Sequence, residues 1–151
     1  MTILDFLGGA TGTWRATSVL KDPMNNVDEK SDSTMLVSSV LGGRFMRLDY
    51  VWSYQGKPQE GSLLVGLESK AEKASACWVD TWHMGHAMML LTGPAAPGRK
   101  LSLLGSYAAP PGPDWGWRIN LDPNEEQLGF TMFNIWPEGR EELAVEALYR
   151  R

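Results

Sequence analysis

Cysteine, histidine and long apolar runs are scarce in this 151-residue chain, and each scarcity excludes something. The single cysteine, Cys77, has no intramolecular disulfide partner, so the fold is expected not to depend on an oxidising compartment, and the expected location is cytoplasmic. Basic residues number 14 against 18 acidic ones, a net charge of −4 with no local Lys/Arg cluster, which argues against a nucleic-acid partner. The longest uninterrupted apolar run, Ala87 to Leu91, is far short of the ~20 residues of a membrane helix. The opening Met1 to Leu7 lacks the positive segment of an export signal, so neither membrane insertion nor export is expected. Gly8-Gly9 and Gly12 lack the lysine of a phosphate-binding loop and follow no strand. What is abundant is hydrophobic residues, at 43%, with 21% charged, the balance of a folded chain and here of one domain spanning residues 1–151.

Sixteen glycines and nine prolines cut the chain into short segments whose apolar residues recur at period 2. Trp115, Trp117, Ile119 and Leu121 alternate with Gly116, Arg118, Asn120 and Asp122; Leu143, Val145, Ala147 and Tyr149 repeat the pattern near the end. Turn signals place ten strands near Thr11–Leu20, Ser33–Leu41, Arg44–Tyr54, Glu60–Ser69, Ser75–Trp82, Ala87–Thr92, Lys100–Ala108, Trp115–Asp122, Gln127–Trp136 and Glu141–Arg151. Lys21 to Asp32 reads as the longest polar loop, and Ile3–Leu7 as a helical turn plugging one end. Short connectors such as Gly42-Gly43 and Ala95-Ala96-Pro97-Gly98 pair consecutive strands antiparallel and leave no room for a crossover helix. Closure of such a meander removes both unpaired edges, so the expected fold is an all-β, closed, up-and-down barrel of about ten strands. A barrel of that girth is expected to leave room for one small guest.

Gly12-Thr13-Trp14 on the first strand, with arginine on the last, resembles the calycin superfamily of lipocalins and fatty-acid-binding proteins. Leu41-Gly42-Gly43-Arg44-Phe45, Val65-Gly66-Leu67-Glu68, Trp78-Val79-Asp80 and Tyr149-Arg150-Arg151, in this order, are similar to a family of small bacterial proteins classed as a domain of unknown function with a lipocalin-like barrel. The family's usual Gly-Tyr-Asp is Gly66-Leu67-Glu68 here, and seven tryptophans exceed its norm. The resemblance implies the barrel, with Gly12 and Trp14 at its closed end and Arg150 or Arg151 stacked over Trp14. Chemistry does not follow from a fold.

Trp78, Asp80 and Trp82 stand at i, i+2 and i+4, one face of a strand with a carboxylate between two indoles. Facing inward, Asp80 becomes a ligand anchor, an acid/base, or half of a structural ion pair with Arg47 or Arg118; facing outward it is surface. His83-Met84-Gly85-His86 reads as a turn placing two histidines near a rim. They are solvated, or candidate ligands for zinc, which Cys77 and Asp80 cannot both join on an extended strand, or for a haem iron as in the related barrels called nitrobindins. The patterns demand no cofactor and assign no catalytic residue.

The reading that unites these residues is a small apolar or aromatic molecule held inside the barrel. Asp80 with Arg47 or Arg118 meets its polar end, and Trp78, Trp82, Met88 and Met89 form the wall. Two alternatives use the same barrel. One is a filled barrel that dimerises or binds protein through exposed tryptophans among Trp52, Trp115, Trp117 and Trp136; the other is an enzyme pairing Asp80 with His83 or His86.

Overall fold

The computed structural model describes residues 1–151 apart from 69, 71 and 96. Ser69, the expected end of the fourth strand, and Ala96, within an expected connector, lie outside the described residues. Ten antiparallel strands close into a barrel in chain order: β1 (Gly12–Asp22), β2 (Val27–Val40), β3 (Phe45–Tyr54), β4 (Lys57–Glu68), β5 (Lys73–Asp80), β6 (Met89–Pro94), β7 (Leu101–Tyr107), β8 (Trp115–Pro123), β9 (Gln127–Ile135) and β10 (Glu141–Arg150). β10 pairs back onto β1, so no edge strand remains. Among the described residues no helix is long and apolar enough to cross a membrane.

One helix, α1 (Ile3–Gly9), precedes the barrel. Thr2 caps it in a reciprocal box with Asp5, and Ile3 and Leu7, four residues apart, turn one buried stripe into the barrel end. That end is sealed by Trp14, fully buried, whose Nε1–H donates to the Ala10 carbonyl at 2.7 Å. Arg151 lies over the Trp14 ring at 4.4 Å and donates to the carbonyls of Gly9, at 2.7 Å, and Thr11, at 3.1 Å. Arg150, the residue expected in this role together with Arg151, instead points outward opposite Gln127, because successive residues of β10 face opposite sides.

Alternation fills the interior. Met46, Leu48, Tyr50 and Trp52 of β3, Ala74, Ala76, Trp78 and Asp80 of β5, and Trp117, Ile119 and Leu121 of β8 all point in. The Lys21–Asp32 segment is no loop: β1 and β2 continue as a polar ribbon to a tight turn at Asp22–Val27. Buried Asp22 holds that turn by accepting from the Met24 amide at 2.9 Å and the Tyr54 hydroxyl at 2.7 Å. Where β6 meets β7, Gly93 passes so close that a Cβ there would lie 2.0 Å from the Ser102 carbonyl oxygen.

Candidate functional site

The far end of the barrel, opposite α1, carries the unusual chemistry. β5 ends at Asp80, and residues 81–88 cross the mouth before β6 starts at Met89. Asp80 organises this crossing. Its Oδ1 accepts from the main-chain N–H groups of Trp82 and His83, each at 2.9 Å, the local bonding by which an aspartate starts a turn. The Met84 N–H donates to the Asp80 carbonyl at 2.9 Å, and Gly85 supplies the left-handed residue, with φ of 60°, that completes the bend.

The same carboxylate is buried, with 3% of its surface exposed, and every contact made by its oxygens is a donor. His83 Nδ1 lies 3.1 Å from Oδ1. Tyr50 donates its hydroxyl to Oδ2 at 2.7 Å and Trp52 its Nε1–H at 3.3 Å; Trp78 Nε1–H in turn donates to the Tyr50 oxygen at 2.9 Å. Burial by itself pushes the Asp80 pKa up. The bonds from His83 and the Tyr50 hydroxyl outweigh it, and the net direction is down, so Asp80 stays ionised. Burial, then the Asp80 charge, hold the Tyr50 hydroxyl well above its ordinary pKa and therefore protonated. Tyr50 reaches this position because Gly61 on β4 leaves space for it: a Cβ at 61 would meet the phenol ring at 2.3 Å.

In a neutral imidazole, an ionised carboxylate beside Nδ1 holds the hydrogen on that nitrogen and leaves the lone pair on Nε2. Nε2 is buried and has no hydrogen-bond partner. Around the His83 ring stand four indoles, Trp82 at 4.7 Å, Trp117 at 5.4 Å, Trp78 at 5.6 Å and Trp52 at 5.8 Å between centroids. Trp78 and Trp117 stack on each other, 5.3 Å apart and 11° from parallel. The Trp117 Nε1–H is a second buried polar group without a partner.

Three spaces meet at His83. Inside the barrel, between Tyr50, Asp80, Phe130 and Tyr149, only about 10 Å³ is left, the room of roughly one water. The interior room expected for a guest is thus taken up by side chains, chiefly the aromatic rings of β3, β5 and β8. The space lies instead at the mouth. A cleft of about 320 Å³ is walled by Trp78, Trp82, His83, Met84, Met89, Tyr107 and Trp117. A smaller one of about 100 Å³ adjoins it past Trp82, His83 and Trp117 toward Glu142 and Leu143. Two further hollows of about 620 Å³ each run along the outer wall, one beside Arg47, Asp49 and Val51, the other beside Arg15, Thr17 and Leu148.

Of the residues expected to form the site, the structure brings together Trp78, Asp80, Trp82 and Met89, with His83 from the turn. Trp82 arrives from the turn rather than from the strand, since β5 stops two residues earlier. Arg47 and Arg118 do not join. The pleat places Arg47 outward between inward Met46 and Leu48, bonded to Asp49 at 2.8 Å, and Arg118 outward between Trp117 and Ile119, bonded to Glu141 at 2.7 Å. Met88 is 71% exposed, because the register Trp78↔Met89 gives the inward place to its neighbour. His83 and His86 form no pair: one is half-buried and the other exposed on the same turn. Among the described residues no three of His, Cys, Asp and Glu stand together as a metal site. Tyr50 and Tyr107 enter the site unannounced, although Leu48, Tyr50 and Trp52 at alternate positions carried the signal for an inward row; Trp52 and Trp117, expected to line a cavity or form an exposed patch, are buried beside His83.

Comparison with known proteins adds a fold and a family. The crystal structure of Rv2717c from M. tuberculosis superimposes with a TM-score of 0.67 at 12% identity, covering 99% of this chain and 96% of that one, a likeness of fold alone. No curated protein matches the sequence. Residues 5–151 match the family described as "Protein of unknown function (DUF1579)", and the chain belongs to that family.

Proposed function

We propose that this protein binds a compact, ring-containing, largely apolar molecule in the aromatic cleft at the barrel mouth, rather than in the interior. One observation carries the reading: with the interior filled, a cleft of about 320 Å³ at His83, a volume within the ordinary range of small-molecule sites, is walled almost wholly by aromatic and thioether side chains. Trp78, Trp82, Trp117 and Tyr107 offer ring faces for stacking, and Met84 and Met89 offer polarizable walls that adapt to shape.

Native mass spectrometry of the freshly purified protein tests this by reporting any bound mass, and titration with β-methoxynaphthalene, followed through tryptophan emission, tests it with a defined probe. Met84 is half-buried on the turn, at the margin of the core, so Met84→Trp enlarges a wall of the cleft and leaves every fully buried residue in place. Binding in the wild type that Met84→Trp weakens at least tenfold supports the site. No adduct and no probe binding, or binding indifferent to Met84→Trp, overturns it.

A further inference from the structure

We infer that the molecule held at the mouth is a hydroxyl-bearing aromatic, of the phenol class, whose O–H donates to His83 Nε2 while its oxygen accepts from the Trp117 Nε1–H. The inference rests on the mouth cleft as the binding site and adds the ligand's polar group. Its basis is the pair of buried polar atoms left without partners, on two rings 5.4 Å apart that wall the same two clefts. Such atoms are rare in folded proteins, since each costs the desolvation of a group that water would otherwise satisfy. His83 has 9% of its side chain exposed and Trp117 7% of its surface, so bulk solvent serves neither.

The two atoms are of opposite kinds. Asp80 takes the hydrogen on His83 Nδ1, which leaves Nε2 as an acceptor; an indole N–H only donates. A group that serves both from one place must donate and accept together. A hydroxyl does so with a single oxygen. An ether or a carboxylate only accepts and leaves Nε2 bare, and a carboxylate would also stand in a poorly solvated site near the negative Asp80. An organic cation finds ring faces to stack on but leaves the Trp117 N–H unpaired. Asp80 contributes by positioning: with Oδ1 held by three N–H groups and Oδ2 by Tyr50 and Trp52, it cannot turn toward the ligand and instead holds the imidazole.

The test compares β-naphthol, its methyl ether and tetramethylammonium by calorimetric titration of the whole protein at neutral pH. β-Naphthol is expected to bind about tenfold or more tightly than the ether, the discrimination of one hydrogen-bonding group in a buried site. His83→Phe keeps a ring and removes the acceptor, and is expected to reduce β-naphthol to the affinity of the ether while leaving the ether within about twofold. Trp117→Phe keeps a ring and removes the donor, and is expected to weaken naphthol and ether alike, by about tenfold. Trp117→Phe decides the matter alone if His83→Phe does not fold. Equal binding of naphthol and ether in the wild type overturns the hydroxyl and leaves the cleft standing; failure of every probe overturns both. A preference for naphthol that survives His83→Phe, β-naphthol binding unchanged in Trp117→Phe, or tetramethylammonium bound more tightly than naphthol, also overturns it.

Discussion

Replacing Asp80 by asparagine tests whether the charge at the mouth is structural. The two side chains are nearly isosteric, but the amide offers one acceptor oxygen where the carboxylate offers two. Three N–H groups converge on Oδ1, two of them main-chain, so the amide oxygen is expected to take that place and the NH₂ to face Tyr50 and Trp52. Two bonds to a charged acceptor are lost, each worth about 1.5–3 kcal/mol, and the Tyr50 hydroxyl recovers part by accepting from the amide. The net loss is about 3 kcal/mol, or a fall in Tm of about 6–12 °C for a chain of this size. Urea unfolding followed by tryptophan emission measures it, with the m-value unchanged. The pH dependence supplies the sharper criterion. Because the folded Asp80 pKa is lowered, its ionised form stabilises the protein above the ordinary carboxylate value of 3.8, and that contribution fades as pH falls through the lowered folded value. The gap between wild type and Asp80→Asn therefore narrows below about pH 4. A loss under about 1 kcal/mol at neutral pH, or a gap that persists undiminished in acid, would refute the reasoning.

Alkali is expected to act on the opposite groups. Burial raises the Tyr149 pKa from 10.0 to about 12, so stability is full below pH 10 and falls by about 3 kcal/mol as pH rises to 12; urea midpoints at the two ends read this, and Tyr149→Phe removes it. Gly93→Ala forces a methyl into the Ser102 carbonyl of the neighbouring strand and is expected to cost more than about 3 kcal/mol, seen as a collapse of the thermal midpoint. Arg151→Ala loses three carbonyl partners and the cover over Trp14, for about 1 kcal/mol, whereas Arg150→Ala is expected to change the midpoint by less than half as much.

Strand number and closure were legible because period-2 alternation is local, and so was the shared face of Trp78 and Asp80; whether that face points inward was not, since alternation alone does not say which side is the core. The polar ribbon of β1 and β2 was not, since its outer residues Asp28, Lys30 and Asp32 look like loop composition until the partner strand is known. Alternation sets Arg118 on the face opposite Trp117, so an inward pairing with Asp80 conflicts with the pleat. The real partners of Asp80 are neutral donors from β3 and its own turn, which no charge pattern announces. The filled interior was hidden too, because girth counts strands while free space depends on how large the inward rings are.

Closure of the ring through β1 and β10 has a consequence for how the chain reaches its fold. Every other neighbouring pair of strands is consecutive in the chain, so the ring is a cyclic object cut once, beside β1 and β10. That seam is the single pairing that spans nearly the whole sequence, and the entropy of bringing its ends together is met only once the intervening hairpins have shortened the path. Arg151, whose guanidinium bonds the carbonyls of Gly9 and Thr11, is the clasp on it. A permuted chain opened at the Pro137–Gly139 turn and tethered across the old ends would move the cut to another hairpin and leave the same ring.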